Sequence, residues 1–217
     1  MASTTAWSLG LATLIVLGLS GCLTGTYTYR GPATSPPTSN AITIERPFDD
    51  VWKVLVPGLG KRFFVINNID KASGLVNLSY SGNPETYVDC GQMTIFVKNA
   101  RGDRTYNFPA ASAHQVYESV DDGSLFFLER KVSLEGRMNL IVQQLSETQT
   151  QVTANTRYII TRSAQSRRVD LQYPASISDT ISFNSGQSAS FAPRGKNQPV
   201  TCRPTGRFEN DVLDIVR

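Results

Sequence analysis

Histidine occurs once in 217 residues, at His114, and cysteine three times, at Cys22, Cys90 and Cys202. So sparse a supply of nitrogen and thiolate ligands argues against a metal site, which wants several such side chains at short spacing. Any Ser–His relay has a single place to form, and His114 falls in a polar stretch where a solvated side chain is the simpler reading. The chain also lacks a Gly-x-Ser-x-Gly elbow, a glycine-rich phosphate loop, a His-Glu-x-x-His pair and a Cys-x-x-Cys pair. Asp49-Asp50 and Asp121-Asp122 are neighbouring carboxylates, but adjacent side chains rarely converge on one substrate; a helix start and a turn account for them. No catalyst, cofactor or metal is expected. The net charge of +3 contains no long run of one sign, so nothing calls for nucleic acid. Nor does any apolar run reach the roughly 20 residues with which a helix crosses a bilayer.

The longest apolar run is 9–19, LGLATLIVLGL, eleven residues without a charge. That is the length of a signal-peptide hydrophobic region. It leads into Leu19-Ser20-Gly21-Cys22, a tetrad that resembles the bacterial lipobox, in which the cysteine thiol receives a diacylglycerol and cleavage makes that cysteine the first residue. The resemblance implies that Cys22 is the lipidation site and that 1–21 are a lipoprotein signal peptide. Several acyl chains together make such an anchor stable where one does not. Leu23, standing where an aspartate favours inner-membrane retention in enteric lineages, points to the outer membrane and its periplasmic face. Removal of residues 1–21 from 217 leaves 196, enough for one substantial domain.

Behind Cys22, residues 23–40 read LTGTYTYRGPATSPPTSN, dominated by Gly, Pro, Ser and Thr. This composition predicts a lipidated flexible tether over 22–40, with a single periplasmic domain over 41–217. Alternation predicts a strand at 42–44. Phe48, Val51, Trp52, Leu55 and Leu59 then share one helical face, with Asp49 and Asp50 in the first turn where the macrodipole favours them. Pro57 is expected to kink or end that helix near Val56. Strands follow at 63–66, 75–80 and 93–98, with a turn at 70–74 and a loop at 81–91. Residues 99–124 read as a long irregular loop. The clean alternation of 132–142 and 152–160 predicts a half-buried hairpin joined through 146–149. Residues 163–180 read as a polar connection carrying Arg167-Arg168, and 180–183 with 188–191 as a small hairpin. Phe208, Val212 and Ile215 share the face of a terminal helix, capped by Thr205 or Gly206. The elements together predict an α+β fold: an antiparallel sheet with an N-terminal and a C-terminal helix packed on one face.

With Cys22 assigned to lipid, an even pair remains. In an exported protein that pair suggests a disulfide, Cys90–Cys202; a metal pair or free thiols are the alternatives.

A wider resemblance rests on particular residues. Phe48-Asp49-x-Val51-Trp52 opens a helix after a strand, then come Phe63-Phe64-Val65-Ile66 and Asp70-Lys71-x-Ser73-Gly74-Leu75-Val76 leading to Ser79-Tyr80. Residues 42–80 so arranged look like the helix-grip modules of envelope lipoproteins such as BamC, from the β-barrel assembly machinery. Cys202-x-Pro204-Thr205-Gly206-x-x-Glu209 resembles the ending of bacterial lipoproteins with the same N-terminal pattern. The likeness implies a helix resting on an antiparallel sheet, with Phe48 and Trp52 packed on it, and a non-catalytic accessory or scaffold role beside an unidentified envelope protein. A second expectation is a module for a lipid or small apolar ligand, held between helix and sheet by Phe63, Phe64, Val76 and Leu78. Trp52, Phe64, Arg167 and Arg168 are therefore the candidate contacts to ligand, partner or anionic lipid.

Overall fold

The computed structural model describes residues 23–33, 39–62, 64–170, 174–193 and 197–217. Its spine is one long hairpin, β9 (Ser124–Gln144) and β10 (Thr150–Arg168), paired without a break from Thr150↔Gln144 to Arg168↔Phe126. The expected hairpin is thus present, and longer at its open end. Alternation builds it: even-numbered residues point inward, so Leu134, Met138, Leu140, Val142, Val152, Ala154, Tyr158 and Ile160 are buried while their neighbours face out.

Each edge of the spine carries different partners along its length. The first half of β9 pairs with β8 (His114–Asp121), the second half with β4 (Leu75–Gly82), which in turn pairs with β3 (Val65–Asp70). β10 pairs with β2 (Ala41–Ile44) near its start and with β11 (Ala175–Asn184) beyond. A second sheet, ordered β1 (Thr24–Arg30), β6 (Gln92–Asn99), β7 (Gly102–Pro109), stands beside β8. A small third sheet joins β12 (Ala189–Phe191), β13 (Val200–Pro204) and β5 (Val88–Asp89). The helices are α1 (Phe48–Gly60) and α2 (Arg207–Leu213), and Pro84–Thr86 form a short 3-10 turn.

The α+β, helix-grip-like expectation is therefore corrected. The described residues form thirteen strands in several antiparallel sheets and only two α-helices, of 13 and 7 residues. The physical reason is that stretches with few aliphatic residues still pair as strands. Residues 24–30, expected in a tether, alternate Thr24, Thr26 and Thr28 outward with Tyr27 and Tyr29 inward, and run in full register along β6. The expected loop at 99–124 is two strands, β7 and β8, and much of the expected connection at 163–180 is the end of β10 and the start of β11. The expected hairpin of 180–183 with 188–191 does not form a ladder, because β11 pairs with β10 and β12 with β13.

Helix α1 continues through Pro57 to Gly60, past the expected stop. Lys53, whose carbonyl loses its partner, and Pro57 both face solvent, while Leu55 and Leu59 are fully buried on the other side. Packing of that face offsets the missing hydrogen bond. Among the described residues, no helix is long and apolar enough to cross a membrane.

Candidate functional site

The sequence-predicted residues are not brought together. Cys22 and Phe63 lie outside the described residues. Trp52 is buried in the α1 face, stacked on Phe48 at 5.6 Å between centroids. Phe64 packs on Phe208 of α2, 5.3 Å away. Val76 and Leu78 are fully buried in the core. Arg167 and Arg168 sit at the far end of β10: the Arg167 guanidinium lies 5.5 Å from the centre of the Phe127 ring, and Arg168 donates to both oxygens of Asp170. His114 is exposed and 3.1 Å from Glu129, whose carboxyl is held below its usual range by Lys131 and then His114. Asp49 meets Lys71 at 2.7 Å and Asp50 meets Lys53 at 3.0 Å, so the helix-start carboxylates are surface ion pairs.

Cys90 and Cys202 are bonded to one another across a separation of 112 residues. The bridge ties β13 to the start of β6. The Tyr29 hydroxyl stands 3.0 Å from the Cys90 carbonyl and 3.1 Å from that of Thr201, and accepts from the Thr201 N–H at 2.9 Å, stitching β1 to the same point. Burial pushes the Tyr29 phenol up, the Thr201 N–H acting against it.

Two clusters of polar side chains are buried. In the first, Glu209 of α2 is 2% exposed. It accepts from Tyr158 at 2.8 Å on both oxygens and from Ser185 at 2.7 Å. Both oxygens of Glu209 have donors, so the cluster locks α2 to β10 and to the end of β11.

The second cluster lies between β1 and the spine. Arg162 donates through Nε and Nη2 to Asp179 and stacks over Phe191, 4.4 Å from its centre. Arg130, 3% exposed, donates to the Ala110 carbonyl, and its Nη1 has no partner among the described residues. Burial pulls the Arg130 guanidinium down and pushes the phenols of Tyr27 and Tyr117 up. Above this cluster opens a groove of about 310 Å³. Its apolar wall is Tyr27, Val120, Phe126, Leu128, Ala164 and Ile177, and Thr26, Ser119, Asp121, Ser166 and Asn197 form its polar border. Leu128 and Arg130 share the inner face of β9, and Ala164 pairs directly with Arg130, so the groove and the buried cations are adjoining storeys of one interior.

Of the groove residues only Asp121 was weighed from sequence, as half of a carboxylate pair read as a turn. The signal was present in the Leu125–Leu128 aromatic and aliphatic run, just beyond the expected loop and assigned to no element, and in Tyr27 and Tyr29 at alternate positions of a stretch that read as tether. Among the described residues, no group of three His, Cys, Asp or Glu side chains is placed to hold a metal. Comparisons with protein-family models, with curated proteins and with solved structures found no match.

Proposed function

We propose that this is an exported, lipid-anchored accessory protein of the outer membrane, facing the periplasm, that works by holding a small apolar or amphiphilic ligand. The observation that carries the reading is the groove beside β1. Its volume of about 310 Å³ stands at the lower end of the range for ligand sites, roughly 300–1,000 Å³, and its wall is apolar with a polar border. A single acyl chain or a compact apolar molecule suits that space. No residue has a catalytic role in this reading.

Native mass spectrometry of the protein extracted from its own membrane tests the proposal. A bound mass beyond polypeptide and covalent acyl chains is expected, and Leu128→Arg, which drives a cation into the groove wall, is expected to abolish it. A protein that is empty however gently it is extracted would overturn the ligand role.

A scaffold role beside an envelope protein is the second reading, favoured by one observation. Strand β3 is the edge of its sheet and presents Val65, 60% exposed, and Ile69 to solvent. An uncovered apolar edge suits strand addition by a partner. Photo-crosslinking from position 65 in cells is expected to capture a discrete envelope protein if this reading holds.

A further inference from the structure

The anchor and the fold meet without slack. Thr24 is already in register with Lys98, so β1 begins two residues after Cys22. Adjacent Cα atoms are about 3.8 Å apart across a peptide bond, so whatever surrounds Leu23 lies within one residue's reach of the thiol. What surrounds it is the end of the molecule at which both main sheets finish. Leu23 borders a shallow depression with Arg101 from the β6–β7 turn, Leu125 and Phe127 from the start of β9, and Val169 and Asp170 beyond β10. Val169 is 58% exposed and is fixed by its N–H donating to the Leu125 carbonyl at 3.1 Å.

We propose that this end is a foot that rests on the lipid bilayer. The inference rests on the reading of Cys22 as the acylated residue. Acyl chains on Cys22 would enter the membrane beside Leu23, which brings Leu125, Phe127 and Val169 to the boundary between headgroups and chains, where part-exposed apolar side chains gain from leaving water. Arg167, held over Phe127, and Arg101 flank them at the depth of lipid phosphates, a place suited to long cationic side chains with apolar stems. Three further charge pairs stand at this end: Lys98 with Asp103 at 3.8 Å, Arg104 with Glu118, and Arg168 with Asp170. Asp121 and Asp122 occupy the β8–β9 turn. Leu23, Leu125, Phe127 and Val169 lead the contact, so moderate salt leaves it in place.

The orientation is the consequence. From this foot the spine runs 21 residues to its tip, about 65 Å at ~3.3 Å per residue. Leu145, 47% exposed at the tip, is then the end farthest from the membrane.

Tryptophan depth measurement tests this on the full-length acylated protein in vesicles of phosphatidylethanolamine and phosphatidylglycerol. Trp52, buried in α1, is the tryptophan that remains after residues 1–21 are removed and serves as an internal reference. Val169→Trp is expected to be quenched at least twofold by lipids brominated near the headgroup, and Leu145→Trp to be untouched, at low and at moderate salt alike. Val169→Trp that stays unquenched in protein that floats with the vesicles would overturn the foot and leave the anchor standing. Protein that does not float would overturn the anchor itself, and the foot with it.

Discussion

Tyr158 and Glu209 show what a single buried pair does for this chain. A carboxylate 2% exposed is tolerable because two hydroxyls donate to it, and the tyrosine in turn is held protonated by burial first and by the Glu209 charge second. Tyr87, in contact with Phe208, is pushed from 10.0 up to about 12 by burial and then by Asp211. Tyr27, Tyr29 and Tyr117 shift the same way. An unfolded tyrosine releases its proton near 10, so above that pH the folded state binds more protons than the unfolded one, and stability falls as pH rises. The stabilisation is complete below pH 10 and is lost as pH climbs through about 12. Denaturant midpoints are expected to be level from pH 7 to 9 and to drop steeply above 10. Tyr158→Phe is expected to cost about 1–3 kcal/mol at neutral pH, by removing one of Glu209's donors, and to make the alkaline drop shallower.

At the scale of elements, one close approach is between α2 and the spine. A Cβ at Gly136 would come within 2.5 Å of Phe208 Cε1 and 3.2 Å of its Cδ1. Phe208 is fully buried there, against Phe64, Tyr80, Tyr87 and Tyr158. Gly136→Ala is expected to push the helix off the sheet at a cost of about 1–3 kcal/mol in chemical denaturation, while Gly60→Ala, with nothing within 4 Å, is expected to be close to neutral. Elements with aliphatic alternation were legible in the sequence: β2, β4, β6 and the central part of the spine hairpin all show the period of two that their burial demands. Elements whose inner face is polar or aromatic were not. β10 continues inward as Arg162 and Ala164, and β8 buries adjacent Tyr117 and Glu118, which breaks the alternation. Strands of that kind are specified by long-range pairing and by ion pairs such as Arg162–Asp179, and neither leaves a local hydrophobic period. The groove was hidden for the same reason, since five strands contribute to its apolar wall.

For the whole molecule, the bridge between Cys90 and Cys202 matters most. It closes a loop of about the length for which chain entropy assigns some 4–5 kcal/mol, and Cys202 stands only a few residues before α2. Cys90→Ala with Cys202→Ala is expected to lower unfolding stability by about 2–5 kcal/mol, read from denaturant titration, without releasing the protein from membranes.

That bridge also stands at the inner end of β1, where Tyr29 reaches Cys90 and Thr201, while the other end of β1 leads in sequence to Cys22, the residue we propose to be acylated. A pull between bilayer and hairpin tip would run lengthwise through this strand. All seven of its residues are paired with β6, so the rungs would be loaded together in shear rather than opened one after another like a zip. The covalent bridge then passes the tension from β6 into β13 and so toward α2. With the anchor proposed at Cys22, a chain built this way would act as a tension member, carrying mechanical load between that anchor and whatever grips its far end.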